Sequence, residues 1–133
     1  MTPQKVAIVT ASDSGIGKQC ALMLAEQGFN IGITWHSDDK GACETAREVE
    51  ARGRQARIIK LDLSHLPAGA NALELLIGAF GRIDVLVNNA VAMTQPPFRD
   101  VTLADWRKIF TVAAEGAFFC SPIAAPQLAH PGQ

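Results

Sequence analysis

Tyrosine does not occur among the 133 residues of this sequence, so no phenol is available to give or take a proton in a reaction. Cysteine is scarce: Cys20, Cys43 and Cys120 stand far apart with no C-x-x-C pair. That spacing excludes a disulfide framework and leaves small, free, packed thiols as the expectation. An excess of basic residues is missing too. Lys and Arg number 12 against 13 Asp and Glu, for a formal net charge of -1, and the cations are scattered, which argues against nucleic acid or an anionic membrane as partner. No apolar run approaches the roughly 18 residues of a membrane span. Met1 to Lys5 lead straight into an apolar stretch without the basic start and cleavage site of an export signal, so a cytoplasmic protein is expected. His36, His65 and His130 lack metal-ligand spacing and are expected on the surface or in loops.

What is present is a globular composition, 48% hydrophobic and 19% charged, in a length that suits one domain and one core. Val6 to Thr10 is a compact apolar run that ends in the polar turn Ala11-Ser12-Asp13-Ser14-Gly15 and reads as a buried strand. From Ile16 the apolar residues fall at helical spacing, Ile16, Cys20 and Leu24, until Gly28. Phe29 to Trp35 reads as a second strand, Lys40 to Arg52 as a helix, and Arg57 to Leu61 as a third strand. Leu73, Leu76, Ile77 and Phe80 mark a third helix, Ile83 to Val87 a fourth strand, and a last helix starts near Leu103. Pro122 and Pro126 are expected to end or kink that helix near Cys120, because an interior proline costs about 3 kcal/mol. The alternation predicts an α/β fold, a parallel sheet covered by helices on both faces.

A strand that ends in a small-residue turn and opens into a helix presents free backbone N–H groups and a positive helix end to a phosphate. Here the turn is Thr10-Ala11-Ser12-Asp13-Ser14-Gly15-Ile16-Gly17. It resembles the T-G-x-x-x-G-x-G turn of the short-chain dehydrogenase/reductase family, with Ala11 at the first glycine. Alanine there is expected to take a negative φ or to strain the turn. Leu61-Asp62-Leu63 closes the third strand as in that family, and Gly81-Arg82-Ile83-Asp84-Val85-Leu86-Val87-Asn88-Asn89-Ala90 is similar to its G-x-I-D-x-L-V-N-N-A-G segment, with Val91 at the last glycine. Trp106, Val112 and Gly116-Ala117-Phe118 match the family's next helix, where its catalytic asparagine falls at Ala113.

The resemblance covers Val6 to about Cys120 and implies a Rossmann-type doubly wound parallel sheet, strand order 3-2-1-4. It implies a chain, residues 1–133, that is one partial NAD(P)-binding domain truncated after the fourth strand and its following helix. The cofactor-binding candidates are Thr10, Ser12, Ser14, Gly15, Ile16 and Gly17 at the turn, and His36 and Ser37 after the second strand. Asp62 and Leu63 after the third strand, and Asn88 and Ala90 after the fourth, complete them. In the family the aspartate matching Asp62 accepts from the adenine amino group, and the asparagine matching Asn88 steadies the sheet and lines the ribose pocket. Taken by itself, Asp62 reads better as a helix cap or turn residue, a role that Ser64 can fill instead. Ser12, Asp13 and Ser14 lack the surroundings of a nucleophile elbow and read as turn and phosphate ligands.

The family moves a hydride between nicotinamide and a carbonyl or alcohol, using a serine, a tyrosine and a lysine. The tyrosine is absent here, so this chain alone is expected to be inactive. No carboxylate stands at the end of the second strand, where NAD-type sites bind the ribose 2′-OH; Trp35, His36 and Ser37 lean toward NADP over NAD, against Asp38 and Asp39, which would repel a 2′-phosphate. The alternatives are a non-catalytic nucleotide-sensing or partner-binding module and a non-functional remnant. Self-association is expected through the last helix and the exposed edge of the fourth strand.

Overall fold

The structure, a computed structural model, describes residues 4–92 and 96–128. Four parallel strands, β1 (Val6–Val9), β2 (Asn30–Trp35), β3 (Ala56–Lys60) and β4 (Val85–Val87), form one sheet in the order β3-β2-β1-β4. The register pairs Val6 with Asn30 on one side of β1 and Ala7 with Val85 on the other. Between strands run α1 (Gly15–Glu26), α2 (Asp39–Ala51) and α3 (Ala72–Phe80), the last preceded by a 3₁₀ turn over Ala68–Asn71. After β4 come α4 (Leu103–Phe110), a π-helical turn (Thr111–Glu115) and α5 (Gly116–Leu128).

Alternation along β1 divides the core into two layers. Ala7 and Val9, with Ile31 and Ile33 of β2, pack against Ala21, Leu22 and Ala25 of α1 and Ala42 and Val49 of α2. Val6 and Ile8 face the other way, toward Leu73, Leu76 and Ile77 of α3 and Cys120 and Ala124 of α5. Both faces are covered at β1 and β2, which are buried along nearly their whole length, whereas edge strand β3, Ala-Arg-Ile-Ile-Lys, stays exposed or half-buried. Asp38 caps α2 by accepting from the Gly41 amide at 2.9 Å, and Thr102 and Asp105 form a reciprocal capping box at the start of α4.

β4 is shorter than the apolar run implies; before it, Asp84 ties the strand ends, its amide donating to the Val6 carbonyl at 2.8 Å. Its carboxylate accepts from the Val6 amide at 2.8 Å and grips both Nε and Nη2 of Arg82. The last helix also departs from expectation. It does not stop near Cys120 but stays helical through Pro122 and Pro126 to Leu128. Each proline removes one backbone hydrogen bond, and the fully buried Cys120 and Ala124, packed on the α3 layer, hold the helix in place. The continuous helical stretch Leu103–Leu128 has 26 residues, and an 18-residue window within it reaches a mean hydropathy of 1.4, so it is long and apolar enough to cross a membrane by length and composition alone. The sequence pattern concealed it because charged Asp105, Arg107, Lys108 and Glu115 interrupt its first half.

Candidate functional site

The sheet order reverses at β1, and the carboxyl ends of the strands open there into a crevice, the usual ligand position of open parallel sheets. The turn after β1 is held from three sides. The Ala11 amide donates to Thr34 Oγ1 at 2.9 Å, the Ser12 amide to the Thr34 carbonyl at 3.2 Å, and Thr45 Oγ1 to the Ser12 carbonyl at 2.8 Å. Under these tethers Ala11 keeps the left-handed conformation, φ +54°. The expected escape to negative φ does not occur, because the bonds on either side of Ala11 set the peptide planes. A non-glycine residue there carries strain of about 1–2 kcal/mol.

Gly15 is also left-handed, φ +57°, and a Cβ on Gly17 would run into the Ala11 carbonyl and the Asn89 side chain. Ser14 precedes α1 without a side-chain cap bond, so the first amides of that helix are free to meet an anion. The turn thus forms a cradle without side chains at its closest points, and it fits a pyrophosphate. Ile16 extends into solvent.

Not every predicted side chain faces the opening. Ser12 is fully buried and its hydroxyl donates to the Val9 carbonyl at 2.7 Å, so it braces the turn from inside. Thr10 is buried as well, its hydroxyl accepting from the amides of Asn89 and Ala90 at 2.8 and 2.9 Å. The sheet-tying role expected of Asn88 belongs to Asn89, whose Nδ2 donates to the carbonyls of Thr10 and Ala11. Asn88 is exposed and bonds Ser121 Oγ at 3.2 Å. Side chains alternate beyond the end of β4, and the inward direction falls on the second asparagine.

A cleft of about 330 Å³ lies over the ends of β1, β2 and β3. His36, Ser37, Asp62, Leu63 and Ala90 line it, as do Ala11 and Val91. It also takes Trp35, over whose ring Lys60 Nζ lies 5.4 Å from the centroid, and Ser64, Lys108 and Val112. Ser64, Lys108 and Val112 were not among the cofactor-binding candidates of the sequence. Lys108 and Val112 come from α4 and the π turn, more than 70 residues from β2, and no local pattern announces them.

Asp62 is the most engaged group of the cleft. Ser64 donates to Oδ1 through its amide at 2.9 Å and through its hydroxyl, His65 Nδ1 lies 2.9 Å from Oδ2, and His36 Nε2 stands 3.5 Å from Oδ1. The Ser64 hydroxyl and amide, aided by the two imidazoles, hold this carboxyl well below the usual carboxylate range against the opposing effect of burial. Asp62 is therefore both a turn residue and a cleft residue, and Ser64 serves it rather than capping a helix. His36 and His65 sit on separate segments, as expected, but the fold brings both to one carboxylate. No group of side chains suited to a metal ion occurs among the described residues, and His130 lies outside them. Ala113 sits in the π turn with its side chain exposed.

The short chain dehydrogenase family matches residues 5–133. The oxidoreductase YohF of Escherichia coli strain K12 is 65% identical over 129 residues, which is 97% of this chain and 51% of that protein. The acetoin dehydrogenase YohF of Salmonella typhimurium superposes with a TM-score of 0.87 at 61% identity, over 93% of this chain and 49% of the other. A short chain dehydrogenase from Burkholderia cenocepacia J2315, solved in complex with NADP, gives the same TM-score at 34% identity, over 93% of this chain and 51% of its own. The chain thus spans about half the length of the relatives it matches.

Proposed function

This chain belongs to the short chain dehydrogenase family, and from that premise we propose that residues 1–133 are a partial NAD(P)-binding unit of an oxidoreductase, with NADP preferred to NAD. The observation that carries the reading is the pairing of a turn that lacks side chains at Gly15 and Gly17 with a cleft that holds His36, Ser37 and Asp62. The free amides of α1 would hold the pyrophosphate, and Asp62 and Leu63 would receive the adenine. His36 and Ser37 would hydrogen-bond a ribose 2′-phosphate. Thr10, Ser12 and Asn89 would act from behind, fixing the turn. When bound, such a cofactor supplies or accepts a hydride at a carbonyl or alcohol carbon. The relatives described as acetoin dehydrogenase make a small hydroxyketone the first substrate to try.

The same reading gives a cytoplasmic location and self-association through the β4 edge and the exposed Trp106, Phe110 and Phe118. A sharp monomer by light scattering at micromolar concentration would remove the self-association.

Titration of the purified chain with NADPH and with NADH, following nicotinamide fluorescence and melting temperature, tests the main reading. Saturable binding, tighter for NADPH, is expected, with stabilisation of about 2.7 kcal/mol at a ligand concentration of 100 Kd. No response to either nucleotide would overturn it.

A further inference from the structure

The charge of the cleft is not accounted for by the turn and strand-end residues. Of the side chains lining it, His36, Asp62 and Lys108 are the ones able to carry charge. Asp62 Oδ1 is engaged by Ser64 and the nearby His36, while Oδ2, bonded to His65 alone, keeps a lone pair for the adenine amino group. The acids that threatened to repel an anion are turned away. Asp38 Oδ1 accepts from the Gly41 amide at the start of α2, Asp39 Oδ1 faces Cys43 Sγ at 3.9 Å, and neither lines the cleft.

Lys108 stands one helical turn before Val112 on the opposite wall. It forms no ion pair among the described residues. Its nearest acid along α4, Asp105, spends Oδ2 on the Thr102 amide in the capping box. An exposed ammonium that forms no ion pair among the described residues, in the same cleft as His36 and Ser37, adds a positive charge that the ionised Asp62 beside His36 does not bind directly. A phosphate monoester is the ligand such a set selects over a hydroxyl.

We propose that Lys108 is a specificity-determining residue for NADP, its ammonium meeting the ribose 2′-phosphate across the cleft from His36 and Ser37. The inference rests on reading this cleft as the site of the adenosine end. It explains how a second strand without an arginine at its end still discriminates the phosphorylated cofactor: the cation comes from α4.

The test uses adenosine 2′,5′-bisphosphate and 5′-AMP, which differ by the 2′-phosphate alone, titrated calorimetrically into the full chain. Wild type is expected to bind the bisphosphate at least about tenfold more tightly, and Lys108→Met to lose most of that ratio while 5′-AMP affinity stays within about twofold. Lys108→Arg should restore the ratio, and the melting temperatures of both variants should match wild type because the side chain is exposed. An unchanged ratio in Lys108→Met, or an equal loss for both ligands, would overturn the role of Lys108 and leave the cleft assignment standing. Failure of wild type to bind either ligand would overturn both.

Discussion

Strands β1 and β4 lie side by side, run in the same direction and consist of the same kinds of residue, yet Val6–Val9 are all buried and Val85–Val87 are only half-buried. β1 has a hydrogen-bonded strand on each side and a helix layer on each face; β4 has one strand neighbour in this sheet. Burial in a parallel sheet therefore follows from the number of neighbours rather than from hydrophobicity. The helices repeat the contrast. α1 and α2 each bury a stripe against the sheet, whereas no residue of α4 or of the π turn is buried, and Trp106 and Phe110 stack on each other, ring centres 4.7 Å apart, in the open.

Core truncation gives the sharpest comparison. Ile8→Ala in β1 is expected to cost about 3–4 kcal/mol and Val87→Ala in β4 about 1 kcal/mol, read from urea unfolding at fixed protein concentration. Equal losses would mean that the β4 edge is covered, and repeating the measurement at tenfold dilution would tell whether a second copy covers it.

Asp84 is the joint between the two strands. Burial alone would raise its carboxyl, but the Arg82 guanidinium and the Val6 amide outweigh that and lower it. A carboxyl lowered in the folded state stabilises fully above the unfolded value, and the contribution disappears as pH falls through the folded one. Asp84→Asn is thus expected to cost about 2 kcal/mol at pH 7. The gap from wild type should narrow steadily below about pH 4. A gap independent of pH would assign the cost to packing rather than charge.

The smallest effect belongs to the turn after β1. Ala11→Gly should stabilise the protein by about 0.5–1 kcal/mol, since relief of the left-handed strain exceeds the extra freedom gained by the unfolded chain. A lower melting temperature in the variant would show that the tethers from Thr34 and Thr45 hold alanine there without strain.

The order of strands and helices could be read from apolar runs punctuated by glycine, because those signals are local. So could the cleft residues at strand ends, His36, Ser37, Asp62, Leu63 and Ala90: a parallel sheet sends every strand end to the same edge. The inward turn of Ser12 and the exchange of roles between Asn88 and Asn89 were not legible, since they depend on the direction of side chains in irregular backbone past a strand. Lys108 and Val112 reach the cleft only through the docking of α4. The persistence of α5 through two prolines was hidden for a related reason: local preference argued for a stop, and packing of Cys120 and Ala124 prevailed.

Cys120 has a consequence of another kind. Its thiol is buried between α5 and the α3 layer, and burial pushes it up to about 11, so at neutral pH almost none of it is thiolate and no reagent approaches it while α5 stays seated. Each alkylation of that sulfur therefore marks one lifting of the helix. The residue is a built-in clock for the seating of α5, ticking at the rate at which that layer opens.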